Sequence, residues 1–105
     1  MQNSRTYYGG AFLGEEDLKE TNINHRIELE YYTIINKGTK DKQDSYGIEI
    51  IKKEYKNNGI NIEITSKKHI SSSAKKVIEI IDTLKKYKVT PIGLNDVLED
   101  LLKAN

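Results

Sequence analysis

The stretch "INIEITSKKHISSSAKKVIEIIDTL", residues 60–84, contains the change of period that decides the fold. Its first six residues alternate apolar and polar side chains, which is typical of a strand because successive side chains point to opposite faces. Residues 74–84 then place apolar side chains three and four positions apart, which is typical of a helix with one buried face. We therefore expect a strand and then a helix, with the serines at 71–73 available as the N-cap.

Two segments upstream alternate in the same way, "HRIELEYYTII" at 25–35 and "YGIEIIKKEY" at 46–55. The polar residues 36–45 between them predict a long hairpin loop, and Asn58-Gly59 predicts a tight hairpin. Three strands in sequence order form an antiparallel meander. The side chains expected to face the core are Ile27, Leu29, Tyr31, Thr33, Ile35, Tyr46, Ile48, Ile50, Ile60, Ile62 and Ile64.

Two helices are expected to follow the strands. "KVTPIGLNDVLEDLL" at 88–102 separates them, because Pro91 disfavours helical geometry at Thr90. The second helix has Asn95 as its N-cap, or alternatively Thr90 with Pro91 at the first helical position. The first buried stripe is Ala74, Val77, Ile78, Ile81 and Leu84, widened by Ile80 and Tyr87, and the second is Val97, Leu98, Leu101 and Leu102, led by Ile92 and Leu94.

Strands and helices with matching apolar faces predict an α+β fold, a three-stranded antiparallel β-meander with two C-terminal helices packed on one face. A chain of 105 residues is expected to form one domain. We assign residues 25–105 to this β-β-β-α-α domain. Residues 1–24 show no sustained period, so they are interpreted as a partly ordered N-terminal arm.

The composition narrows the function classes. The chain has no cysteine, which excludes disulfides and thiolate metal sites. Its net charge of +1 argues against general phosphate binding. No apolar run approaches the ~20 residues of a membrane-spanning helix, and the N-terminus lacks the apolar stretch of a secretory signal. The sequence therefore predicts a cytoplasmic protein without a membrane partner.

"YGIEI" and the C-terminal "HISSSAKKVIEIIDTLKKYKVTPIGLNDVLEDLL" carry a resemblance to a known family. In this order they resemble a family of small proteins from clostridia and related spore-forming bacteria that is known only as a domain of unknown function. The resemblance runs from about Gly14 to Leu102, and "VTP" at 89–91 and "DVLED" at 96–100 are its most characteristic pieces. It implies a bacterial cytoplasmic protein and brings no catalytic residues.

The residues that carry catalytic or metal chemistry are few and scattered. His25 and His69 lie far apart in sequence, and a nucleophile elbow, a metalloprotease motif and a phosphate-cradling loop are missing. Asp41 and Asp44 lack the oxygen count and the glycine of a calcium loop. We predict no enzyme activity, cofactor, metal site or small-molecule substrate.

Nucleic-acid binding is the alternative function, through a basic patch of lysine pairs. The residues of this patch are Lys67, Lys68, Lys75 and Lys76, near the start of the first helix. A helix-turn-helix fits poorly, because about seven residues connect the helices instead of 3–4 and the second helix begins with acids.

Protein binding or self-association is the favoured function, because a second apolar set lies on the other side of the strands. Its residues are Tyr32, Ile34, Ile51 and Tyr55, on a face that is otherwise charged. Three explanations are open. The N-terminal arm folds back and covers them with Tyr7, Tyr8, Phe12 and Leu13; they form a contact patch for a partner; or a bulge turns them to the other side.

Overall fold

The computed structural model describes residues 3–14 and 26–103. It has an α+β fold, in which two helices lie on one face of an antiparallel sheet with the strand order β1-β2-β3-β4. The elements are β1 (Asn3–Leu13), β2 (Arg26–Asn36), β3 (Ser45–Lys56), β4 (Gly59–Ser71), α1 (Ala74–Lys86), a short 3-10 turn (Pro91–Gly93) and α2 (Leu94–Lys103).

The sheet has four strands, so the prediction of three is wrong by one. The additional strand is β1, which pairs antiparallel with β2 from Asn3 opposite Asn36 to Leu13 opposite Ile27. Its register shifts between Tyr7 and Gly9, and this bulge interrupts the alternation that identifies a strand in sequence. The predicted boundary between arm and domain, at residues 24 and 25, lies outside the described residues.

The core lies between the helices and one side of the sheet, which we call the inner face. Tyr31 and Ile50, directly opposite each other on β2 and β3, are fully buried there as predicted. The Tyr31 hydroxyl donates a hydrogen bond to the Val89 carbonyl at 2.9 Å, which ties the connection between the helices to the sheet. The core cluster consists of Leu29, Tyr31, Ile48, Ile50, Val77, Ile80, Ile81, Leu84, Leu94 and Leu98.

The isoleucines of β4 do not face this core, contrary to the prediction. Ile60, Ile62 and Ile64 are 58%, 53% and 57% exposed. The reason is the length of the hairpin turn: Asn57 and Asn58 form it, so Tyr55 lies opposite Ile60. Directly opposed residues point to the same face, and Tyr55 points away from the helices.

The first helix begins and ends with well-formed caps. The Ser73 side chain accepts a hydrogen bond from the Lys76 amide at 3.2 Å, which confirms the predicted N-cap. At the other end the amides of Lys88 and Val89 donate to the carbonyls of Lys85 and Leu84, in the pattern of a Schellman motif. Three members of the predicted stripe are exposed instead, Ala74, Ile78 and Tyr87.

The second helix follows the alternative boundary rather than Asn95. Thr90 is extended, Pro91 opens the 3-10 turn, and α2 begins at Leu94. Proline suits this place because its ring presets the φ angle of a first helical residue. Leu94 and Leu98 are buried in the core. The apolar residues at the two ends, Ile92 and Leu102, were predicted to be buried and are exposed.

Candidate protein-binding face

The side of the sheet away from the helices, which we call the outer face, holds all four residues of the predicted contact patch. Tyr32 and Ile34 come from β2, and Ile51 and Tyr55 come from β3. The register between these strands is unbroken, so no bulge turns these side chains to the inner face and that explanation is wrong. Ile34 and Ile51 are buried at 6% exposure, whereas Tyr32 and Tyr55 are half-buried.

Residues 3–14 do not fold back over this face, contrary to the first of the three explanations. Strand β1 instead runs beside β2 in the same sheet. Tyr8 and Leu13 turn to the inner face and pack against the core, while Tyr7 and Phe12 lie on the outer face and are 58% and 49% exposed. Tyr7 and Phe12 therefore add exposed apolar surface to the outer face.

One end of the outer face is organised around Tyr32. The Tyr7 and Tyr32 rings meet edge to face with 5.6 Å between their centroids, and the Arg5 guanidinium lies 4.4 Å from the Tyr32 centroid. Arg5 also forms an ion pair with Glu49 on β3. A Cβ atom at Gly10 would lie only 2.9 Å from the Tyr7 hydroxyl oxygen, so the glycine leaves room for the Tyr7 side chain.

Glu30 lies in the middle of the outer face, and its carboxylate accepts two hydrogen bonds. The Tyr32 hydroxyl donates to its Oε1 at 2.9 Å and Lys53 Nζ donates to its Oε2 at 3.0 Å. Partial burial would raise the pKa of Glu30, but the bonds from Lys53 and Tyr32 outweigh it, so the pKa of the carboxyl is lowered. Its carboxylate in turn raises the pKa of Lys53. The pair is therefore held in its charged form.

The other end of the outer face repeats this arrangement of aromatic rings and charges. The Arg26 guanidinium lies 4.7 Å from the centroid of Phe12 and 5.4 Å from that of Tyr55. The Tyr55 hydroxyl donates to Glu28 Oε1 at 2.9 Å, and this bond raises the pKa of Tyr55. The polar groups of the middle strands are thus paired with one another, and a partner is not needed to satisfy them.

The largest exposed apolar feature of the face is the row of Ile60, Ile62 and Ile64 on β4, which we call the isoleucine ladder. The sequence pattern predicted that these three side chains face the core, and this prediction is wrong. The signal that identifies them is the turn length: a two-residue turn puts Ile60 on the same side as Tyr55, which was already placed on the outer side. The ladder and the β1 aromatics flank the charged middle strands.

The ladder lies on a strand at the edge of the described sheet, where β3 is the strand neighbour of β4. An edge strand presents backbone donors and acceptors to any strand that approaches. Between Gly59 and Thr65 the strand carries one charge, that of Glu63, which lies on the inner face 3.7 Å from Lys52. This part of β4 is therefore both apolar on its outer side and open at its edge.

The four lysines of the predicted basic patch line three different hollows. Lys75 and Lys76 line one on α1 together with Glu79. Lys67 lines a second hollow with Glu99, and Lys68 a third with Glu49. Each hollow thus contains a carboxylate. The arrangement lacks the continuous positive stripe that attracts a phosphate backbone.

His69 contacts Ser45, a pair that sequence reasoning did not identify. Their Nδ1 and Oγ atoms lie 2.7 Å apart at the exposed end of the sheet. The Asn36 amide, which is buried, donates to Ser45 Oγ at 3.3 Å and to the Lys68 carbonyl at 2.6 Å. Among the described residues no carboxylate lies within ion-pair distance of His69. His25 lies outside the described residues.

The same hydrogen bonds hold β2, β3 and β4 together at this end of the sheet. The register of β3 and β4 shifts opposite Gly47, where β4 bulges. A side chain at Gly47 would begin 2.2 Å from the Lys67 carbonyl oxygen, so only glycine fits under the bulge. The contacts of Asn36 and Ser45 therefore fasten three strands together.

Residues 3–14 and 26–103 contain no group of three His, Asp or Glu side chains that suits a metal ion. Asp44 instead accepts a hydrogen bond from the Gly38 amide at 2.8 Å, and this bond lowers the pKa of its carboxyl. Neither helix in that part of the chain has the length and apolar character to cross a membrane.

The described residues define a small α+β protein in which two helices pack on one side of a four-stranded antiparallel meander. The chain belongs to the Family of unknown function (DUF6514), whose model matches residues 13–104. The match includes β2 to α2 and leaves most of β1 outside. No curated protein and no solved structure matches the chain.

Proposed function

We propose that the protein is a non-catalytic binding module of the bacterial cytoplasm that recognises a protein through its outer sheet face, in a regulatory or adaptor role. The observation that carries the proposal is the isoleucine ladder: three consecutive outward side chains of an edge strand, each more than half exposed. Soluble proteins seldom leave such a row in water unless it meets a partner. Strand addition at a sheet edge is a common mode of protein recognition.

Site-specific photo-crosslinking in the native host tests this proposal. A photoreactive phenylalanine analogue replaces Ile62 in the ladder or, as the control, Ile92, which is 87% exposed on the 3-10 turn. The expected result is a protein adduct from position 62 and none from position 92. The adduct should disappear when Ile60→Lys and Ile64→Lys are added. Equal adducts from both positions, or an adduct that survives the two lysines, would contradict the proposal.

Nucleic-acid binding through Lys67, Lys68, Lys75 and Lys76 is the alternative. It predicts a mobility shift of labelled RNA or DNA that weakens steeply with salt, because lysines displace counterions from phosphates. Since each lysine hollow also holds a carboxylate, we expect no such shift. A salt-sensitive shift that Lys67→Ala with Lys68→Ala abolishes would establish the alternative instead.

A further inference from the structure

The two halves of β4 differ in how their edge is protected against another strand, and this difference indicates which partner covers the ladder. We propose that a second copy of this chain pairs its β4 antiparallel with β4, about a two-fold axis at Ile62, so that two four-stranded sheets become one eight-stranded sheet. This inference rests on the proposed function and names the partner at the same site.

The half of β4 that carries the ladder lacks the usual protections of an edge strand. Proteins protect such edges with lysine, proline or bulges. The half from Ser66 onward has Lys67, Lys68 and the bulge opposite Gly47, which together block strand addition. The half from Gly59 to Thr65 has none of these, and its one charge is turned to the inner face. Protection that stops where the ladder begins is expected if a strand pairs there.

The sequence of this half is self-complementary when the axis passes through Ile62. Antiparallel pairing then sets Ile60 against Ile64 of the second copy and Ile62 against itself. Asn61 comes opposite Glu63 of the second copy, so an amide donor meets a carboxylate. An axis at Glu63 would oppose two carboxylates, which is unfavourable. A register shift by one residue would set isoleucines against polar side chains.

Pairing at the edge also fits the charges of the outer face better than stacking two faces would. The strands β1 to β3 carry three cations and three carboxylates there. Stacking would take these groups out of water at a high desolvation cost. Edge pairing leaves them hydrated and places β-branched side chains of both copies side by side, which is a favourable cross-strand arrangement. The charged groups are Arg5, Arg26, Lys53, Glu28, Glu30 and Glu49.

Single-cysteine variants test the register, because the natural chain contains no cysteine. Ile62→Cys is expected to give a covalent dimer with a short bismaleimide. Ile60→Cys alone should react poorly, because four residues, about 13 Å along a strand, would separate it from its copy. Mixing Ile60→Cys with Ile64→Cys should restore the dimer. Efficient cross-linking of Ile60→Cys to itself, or none from any of these variants, would overturn the proposal.

Sedimentation velocity on the purified chain tests the association itself. The wild type is expected to be a dimer whose dissociation constant rises more than about tenfold in Ile62→Lys, because like charges oppose each other at the axis. Ile92→Lys is the control and should leave the dimer intact. Far-UV circular dichroism shows whether Ile62→Lys keeps the fold. If it does not, Ile62→Ser replaces it and the same loss is expected. A dimer unaffected by a folded variant at position 62 would overturn the proposal.

The outcomes separate this inference from the proposed function. A wild type that stays monomeric at all concentrations, while position 62 cross-links to a different protein in the host, overturns the second-copy partner and leaves protein recognition standing. A monomer without any adduct from position 62 overturns both.

Discussion

The two faces of the sheet carry similar side chains, but one face forms the core and the other is exposed. The inner face buries Leu29, Tyr31, Ile48 and Ile50 under the helices. The outer face carries isoleucines and aromatic residues too, but there they are interleaved with paired charges and the ladder is more than half exposed. Apolar composition alone therefore does not identify a core. The element that covers a face decides whether its residues stabilise the fold or remain available to a partner.

The largest expected difference between the faces is the cost of shortening an isoleucine. Ile81→Ala on α1 removes a fully buried side chain, so we expect the free energy of unfolding to fall by about 2–5 kcal/mol. Ile62→Ala, in dilute solution, is expected to cost about 1 kcal/mol or less, because its side chain is half exposed. Urea unfolding measures both. Equal losses would mean that the ladder belongs to the core.

The next effect tests a polar group of the outer face that does serve the fold. Asn36 is buried and bridges to the Lys68 carbonyl and Ser45. Asn36→Ala leaves those partners unsatisfied, and we expect a loss of about 1–3 kcal/mol in urea unfolding. Asn61→Ala, which is exposed on β4, is the matched control and should change the stability little in dilute solution, where the chain is monomeric. If the two variants behave alike, Asn36 does not fasten the strands.

A smaller effect is expected from a single hydroxyl of the inner face. Tyr31→Phe keeps the buried ring and removes the hydrogen bond to the Val89 carbonyl, so it should cost about 1 kcal/mol. Thermal unfolding of this variant is compared with that of Tyr87→Phe, whose ring is exposed. An unchanged midpoint for Tyr31→Phe would show that the connection between the helices needs no anchor on the sheet.

The smallest effect concerns the charges that keep the outer face polar. The pKa of Glu30 is lowered in the fold, so its ionised form adds stability above the ordinary carboxyl pKa of 4.5, and this contribution is lost as the pH falls below that value. Glu30→Gln should therefore flatten the fall of the urea midpoint between about pH 5 and about pH 3. Glu79→Gln, exposed on α1, is the control. A slope that Glu30→Gln leaves unchanged would contradict the role of this pair.

Most of the fold follows from local patterns in the sequence. The alternation in residues 25–35, 46–55 and 60–65 identifies three strands, and the cap at Ser73 and the stripe with Ile81 and Leu84 identify the first helix. The strand β1 does not follow, because a bulge and two glycines interrupt its period. A proline that starts a helix and a proline that ends one look alike in sequence. The sequence therefore does not decide between Thr90 and Asn95 as the start of α2.

The candidate site was only half predictable. Tyr32, Ile34, Ile51 and Tyr55 were placed on the outer face from alternation within each strand. The ladder was missed because alternation fixes which residues share a side, not which side faces the core. The choice between the sides requires the turn length, which relates Ile60 to Tyr55. Contacts between distant residues, such as those of Asn36, leave no local pattern.

Amide hydrogen exchange at low and high protein concentration shows whether the ladder half of β4 serves association rather than folding. An edge strand gains protected amides when another strand pairs with it. We expect the protection of the amides between Gly59 and Thr65 to rise with concentration while that of Lys67 and Lys68 stays constant. Protection of residues 59–65 that is the same at every concentration would contradict it.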